Sequence, residues 1–219
     1  MSNDFAAARD RMVDTQLARR GIDDPRVLDA MRTVPRHRFV SDAEAHEAYG
    51  DHPLHIGHGQ TISQPYIVAY MAEQLRLTPA SRVLEVGAGC GYQAAVLAQL
   101  AGHVYTTDIV DALAATARAN LDALGIANVT VATRDGSTGW PEHAPFDAII
   151  VAAAAADVPP ELVGQLALGG RLIIPVGSTE FQTLHLLERR ESGTVDERLI
   201  EVRFVPLVAG GGQQAAGRG

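Results

Sequence analysis

Apolar spacing changes character near residue 66. Before that point the chain reads as helical. Over residues 5–20, Met12, Val13 and Leu17 fall on one side, with Arg11, Asp14, Arg19 and Arg20 mostly outside. Gly21 follows, a residue type that readily ends a helix in the left-handed conformation. Asp24-Pro25 opens a second helix, with Asp24 as cap, Val27, Leu28 and Met31 turned inward, and Pro35 closing it. Residues 41–60 mix Gly, His, Asp and Pro without a period and read as mostly loop. From residue 66 the chain alternates. Helices are predicted over 66–77, 92–100, 112–124 and 160–166, and short apolar strands over 82–86, 103–108, 129–132, 146–151 and 171–176. Such alternation requires crossover connections, so the predicted fold is α/β, a doubly wound, mostly parallel sheet covered on both faces. Residues 181–188 and 198–206 read as late antiparallel strands, and the Gly/Gln/Ala-rich stretch 209–219 as a flexible tail.

Composition narrows the classes of partner. The 219 residues suffice for a single core, and no composition break marks a second domain. A net charge of -8 argues against a nucleic-acid or anionic-membrane partner, either of which favours a clustered basic face. No apolar run approaches the roughly 18 residues of a membrane span, and the first residues carry interleaved charges without a signal-like apolar stretch. The lone Cys90 excludes an intrachain disulfide. These features together predict a cytoplasmic location, with monomer as the default state.

Candidate chemistry gathers at one edge of the predicted sheet. Gly87-Ala88-Gly89-Cys90-Gly91 lies between the strand RVLEV and the helix YQAAVLAQL, where a sharp turn and close approach of a ligand to the backbone both favour glycine. Asp108 ends the next strand, 21 residues after Gly87, where an acid can accept hydrogen bonds from both ribose hydroxyls of a nucleoside. Asp135-Gly136 follows the strand after that and suits an adenine amino group. A dinucleotide is the rival ligand, but its glycine spacing is G-x-G-x-x-G, whereas this turn reads G-x-G-x-G. Glu85 would also oppose a pyrophosphate, yet it could bind the ammonium of a methionine moiety. Both differences favour S-adenosylmethionine.

The segment GHGQTISQPY (57–66) resembles the signature of protein-L-isoaspartate O-methyltransferases. So do LEVGAGCGYQAAVLA (84–98), FDAIIVAAAA (146–155), GGRLIIPVG (169–177), RFVPLV (203–208) and the N-terminal stretch 12–40. The resemblance implies a Rossmann-like class I methyltransferase occupying residues 1–208, with 1–80 a helical and substrate-side segment and 81–208 the cofactor-binding core. It implies methyl transfer from S-adenosylmethionine, yielding S-adenosylhomocysteine, to the free α-carboxylate of L-isoaspartyl residues in damaged peptides and proteins. It further implies Ser63 as the active-site serine. Gln60, Thr61 and Ile62 would lie beside it, and Glu85, Gly87, Gly89, Asp108, Ile109, Asp135 and Gly136 would line the cofactor site. Ser63 can orient a carboxylate by donating a hydrogen bond, and can equally cap the helix that follows. Its flanks are not those of an acylated serine, G-x-S-x-G. Two positions depart from the family: Ala152 stands where Thr is common, and Asp108 where Glu is frequent. Two other readings compete, a carboxyl methyltransferase dedicated to one biosynthetic peptide and a non-catalytic S-adenosylmethionine-binding module.

Four other features are expected to carry no chemistry. His52, His55 and His58, with His46 nearby, are regularly spaced, but Pro53, Gly57 and Gly59 break any helix that would align them, so no metal is expected. Cys90 and Trp140 read as packing residues. Arg36, His37 and Arg38 read as a solvated basic cluster.

Overall fold

A computed structural model describes residues 4–208; the stretch 209–219, expected to be flexible, lies outside the described residues. Helix α1 spans Phe5–Met12, and the expected helical run to residue 20 continues in altered form. Val13–Leu17 widens into a π turn and Ala18–Arg20 tightens into a 3-10 turn, before Gly21 adopts φ 88°. Val13 and Leu17 both lie fully inside the core. Helix α2, Pro25–Thr33, is capped by the Asp24 side chain, which accepts from the Arg26 N–H.

Residues 41–60 are not all loop. Strands β1 (Leu54–Gly57) and β2 (Gln60–Ile62) form a small antiparallel hairpin pairing Leu54 with Ile62. His58 and Gly59 turn it with positive φ values, 53° and 70°. Helix α3 then runs Pro65–Gln74. Its N-cap is Gln64, and no side chain caps it, so the expected capping by Ser63 does not occur. Proline at N1 has no N–H to satisfy, which lowers the need for a cap.

The main sheet has seven strands in the order β5-β4-β3-β6-β7-β8-β9. Strands β3 (Arg82–Val86), β4 (His103–Asp108), β5 (Val129–Thr133), β6 (Phe146–Val151) and β7 (Leu166–Gly177) pair in parallel. Helices α4 (Tyr92–Ala98), α5 (Asp111–Ala123) and α6 (Pro160–Gly164) make the crossovers. Strands β8 (Gln182–Arg190) and β9 (Gly193–Val202) add on antiparallel, as expected. The N-terminal half of β9 is a solvent-exposed edge, so hydrophobic patterning does not reveal it.

Successive residues of β3 face opposite sides, as the strand period of two requires. Val83 packs with Met31, Met71 and Leu97 under the N-terminal helices, and Leu84 with Phe146, Ile149 and Leu162 on the far face. Each such fully buried aliphatic side chain contributes about 1.5–3 kcal/mol. Arg36 overturns the expectation of a solvated cluster. It is fully buried, its Nε donates to the Ala48 carbonyl at 2.8 Å, and its guanidinium lies 4.8 Å from the Tyr92 ring centroid.

Candidate active site

Strand order reverses between β3 and β6, which sit side by side although β4 and β5 intervene in sequence. Loops leaving such a pair diverge and open a crevice at the carboxyl ends of the strands. The glycine turn leaves β3 here. The Gly87 and Ala88 amides both donate to the Thr107 carbonyl, at 2.8 and 2.9 Å, which curls the turn back over β4. Gly91 has φ 87°, and a Cβ there would meet the Ala117 backbone at 3.2 Å. Gly89 has φ 53°, and a Cβ there would stand 3.2 Å from Ile56 Cδ1 on the β1–β2 hairpin. Glycine therefore lets the hairpin close down over the turn.

About 890 Å³ of non-atom space, open solvent at the mouth included, lies within the crevice. Of the expected cofactor residues, Gln60, Thr61, Ile62, Gly87, Gly89, Asp108, Ile109 and Gly136 line it, as does Ser63. Asp108 is 8% exposed, with Oδ2 accepting from the Gly89 N–H and Oδ1 from the Val110 N–H, each at 2.9 Å. Burial raises its pKa, while those two N–H donors and His58 pull it back down.

Two expected residues do not line the crevice. Glu85 is fully buried beneath the turn, accepting from the Thr106 hydroxyl with Oε2, while Oε1 has no partner. Burial first, and then the nearby Asp108, push its pKa up to about 8 against the Thr106 hydrogen bond. In the ligand-free chain, burial thus favours its neutral form. Asp135 turns into its own loop, where Oδ1 accepts from both the N–H and the hydroxyl of Ser137. It shapes the loop that presents Gly136.

Sequence reasoning missed two contributors. Gln93 on α4 is 8% exposed and lines the crevice, and its Nε2 has no partner. The segment 205–208 closes the other side, held by Ala154 N–H donating to the Val205 carbonyl and Leu207 N–H donating to the Ala154 carbonyl. Residues 203–206, expected within the late strand 198–206, lie beyond β9, which ends at Val202, because an irregular strap has no period to mark where the strand stops.

A second cavity opens alongside, with about 1,320 Å³ of non-atom space, open solvent at its mouth included. Thr61, Ser63, Ala152 and Val205 line both spaces. The Ser63 hydroxyl has no hydrogen-bond partner among the described residues.

The remaining candidates fall as follows. Burial raises the Cys90 thiol to about 11, which keeps it protonated, and the side chain is buried. Trp140 packs edge-on against Tyr105 and His143. His52 Nε2 lies 3.3 Å from Glu47. Among the described residues, no three His, Cys, Asp or Glu side chains are grouped to hold a metal, and no helix is long and apolar enough to cross a membrane.

Sheet order, glycine turn and the acid at the end of β4 together define an S-adenosylmethionine-dependent class I methyltransferase. Over residues 7–212 the chain matches the family model described as protein-L-isoaspartate(D-aspartate) O-methyltransferase. It is 57% identical to the protein-L-isoaspartate O-methyltransferase of Methylorubrum extorquens, over 95% of this chain and 92% of that one. It is 53% identical to that of Picosynechococcus sp., over 94% and 95%. One solved protein-L-isoaspartate O-methyltransferase superposes with a TM-score of 0.82 at 29% identity, over 90% of this chain and 65% of that one. A Plasmodium falciparum chain described as a putative protein-L-isoaspartate O-methyltransferase, in complex with S-adenosyl-L-homocysteine, superposes with a TM-score of 0.78 at 30% identity, over 91% and 98%. The chain belongs to the protein-L-isoaspartate(D-aspartate) O-methyltransferase family.

Proposed function

We propose that this protein transfers a methyl group from S-adenosylmethionine to the free α-carboxylate of L-isoaspartyl residues in damaged proteins, which begins their repair. One observation carries the reading at the level of the site. Ser63, with its hydroxyl uncommitted, stands on the wall shared by the nucleoside crevice and the second cavity.

The crevice residues fit the donor. Each carboxylate oxygen of Asp108 accepts one backbone N–H and retains a lone pair for a ribose hydroxyl. Val86, Ile109 and Leu113 supply apolar walls for a purine, and the unpartnered Gln93 amide supplies a donor inside the crevice. Glu85 acts from below as a neutral buried group supporting the turn. When bound, S-adenosylmethionine supplies an electrophilic methyl on a sulfonium.

The acceptor needs no strong base. A carboxylate has a pKa near ~4 and is already ionised at neutral pH. Ser63 donates its O–H to one oxygen of that carboxylate and so aims the other, with Thr61 beside it. With ligands bound, the hairpin and the strap 205–208 would cover them and exclude water. Orientation of this kind contributes several kcal/mol to rate.

The test is direct. Labelled S-adenosylmethionine is supplied with matched isoaspartyl and aspartyl peptides, and base-labile methyl ester is measured. Ester on the isoaspartyl peptide alone is expected. Ester on the aspartyl peptide would redirect the assignment to a dedicated-peptide carboxyl methyltransferase. Bound cofactor with no ester on either would leave a non-catalytic binding module.

A further inference from the structure

All eighteen basic residues of this chain are arginine. Among the described residues, Arg203 is the one arginine that lines either of the two spaces meeting at Ser63. It is exposed, and it has no ion-pair or hydrogen-bond partner among the described residues. Most other arginines are committed: Arg20 to Asp51, Arg134 to Glu142, Arg171 to Glu188, and Arg26 and Arg189 to backbone carbonyls.

The backbone beside Arg203 is fixed from both sides. Gln182, 4% exposed, grips the next residue twice: its Oε1 accepts from the Phe204 N–H at 2.6 Å and its Nε2 donates to the Phe204 carbonyl at 3.1 Å. Val205 and Leu207 are tied to Ala154, two residues from Ala152, which lines both spaces. A free guanidinium is thus held on a braced strap in the cavity that Ser63 faces. The chain as a whole carries a charge of -8, which repels an anionic substrate, so a local cation is needed to draw a carboxylate in. A planar guanidinium matches a carboxylate in a two-pronged hydrogen bond better than any other side chain.

We propose that Arg203 is the substrate-binding residue that captures the isoaspartyl α-carboxylate and presents it to Ser63. This rests on the isoaspartyl reading above. Arg203 supplies charge and the coarse position, and Ser63 the final aim. The nearby Glu201 lines the same cavity and repels a carboxylate that approaches from the β9 side. Substrate is thereby steered toward Ser63.

The experiment uses the full chain, as wild type, Arg203→Gln and Arg203→Lys. The probes are an isoaspartyl peptide and its analogue with the α-carboxylate replaced by a carboxamide. KM and kcat are measured for the acid, and the amide is measured as a competing ligand. The wild type is expected to favour acid over amide by about 10-fold or more, the value of a charge-assisted pair. Arg203→Gln should raise KM for the acid by a similar factor and collapse the acid–amide preference, with affinity for S-adenosylhomocysteine unchanged. Arg203→Lys should recover part of the preference. An acid–amide ratio in Arg203→Gln equal to that of the wild type overturns the role of Arg203 while leaving the methyltransferase reading intact. A parallel loss of S-adenosylhomocysteine affinity also overturns it, because a general disturbance of the strap would do that. Failure of the wild type to methylate the acid sinks both.

Discussion

Ser63 presents an unpaired hydroxyl to two spaces at once, and it caps nothing, so its removal should disturb chemistry more than structure. Ser63→Ala is expected to lower kcat by about 10- to 100-fold, the worth of one hydrogen bond to a charged group, with S-adenosylhomocysteine affinity little changed. Calorimetry of the variant decides it: a matching fall in cofactor affinity would return Ser63 to a structural role. Glu85 gives a different signature. Its carboxyl has a pKa of about 8 in the folded protein against an ordinary 4.5, so folding favours the protonated form. Its contribution to stability is therefore fully present below about pH 4.5 and is lost as pH rises through about 8. Glu85→Gln mimics the protonated form. It should match the wild type in unfolding free energy near pH 4.5 and exceed it above pH 8, by a margin on the order of several kcal/mol, with Tm moving in the same direction. Parallel curves of Tm against pH for the two proteins would refute this. These residues also show what sequence conveys about a site. Asp108 was legible because a strand end fixes where its side chain goes. The burial of Glu85 was not legible, because proximity in sequence to a glycine turn does not say whether a side chain rises into the crevice or sinks beneath it.

The glycine turn works as an element because α4 and α5 pack too closely for a side chain between them. At Gly91, alanine would adopt φ near 87° with its Cβ 3.2 Å from the backbone of Ala117. Left-handed strain alone costs about 1–2 kcal/mol, and the helices must also part. Gly91→Ala is expected to lower stability by about 2 kcal/mol or more and to weaken S-adenosylhomocysteine binding, because the shift moves the turn that Gly89 and Asp108 hold together. Denaturant melts and binding isotherms check both effects; an unshifted melt would show that α5 yields freely. Elements were legible where burial imposes a period. The five parallel strands and their helices emerged from runs such as FDAIIV, buried on both faces. The β1–β2 hairpin did not, because two strands of four and three residues are too short to show alternation. The start of β9 did not, because nearly every side chain there faces water. The π turn at Val13–Leu17 was hidden as well, since the apolar spacing there fits an ordinary α-helix equally.

At the scale of the molecule, the crevice joins the end of β4 and the residues after it (Thr107 to Leu113), Gly136 and Ala152–Ala153 to three further stretches: the hairpin and its exit (Ile56 to Ser63), the glycine turn with α4 (Val86 to Gln93), and the strap (Val205 to Val208). Few hydrogen bonds join these stretches directly to one another. The hairpin meets the turn through Ile56 over Gly89, and the strap hangs on Ala154 and Gln182. Hairpin and strap are each held to their own neighbours more than to the turn, and a ligand lying between them adds contacts that the chain alone does not make. A ligand that binds only the folded state stabilises it by mass action, by about 2.7 kcal/mol at a concentration 100 times its Kd. S-adenosylhomocysteine should thus raise Tm in a concentration-dependent way. It should also slow amide hydrogen exchange in all three stretches together, while the β8–β9 hairpin, remote from the crevice at its turn end, exchanges as before. Protection confined to the glycine turn would mean that hairpin and strap are already closed without ligand. Joint protection would show that ligand binding itself completes the wall on which Ser63 stands.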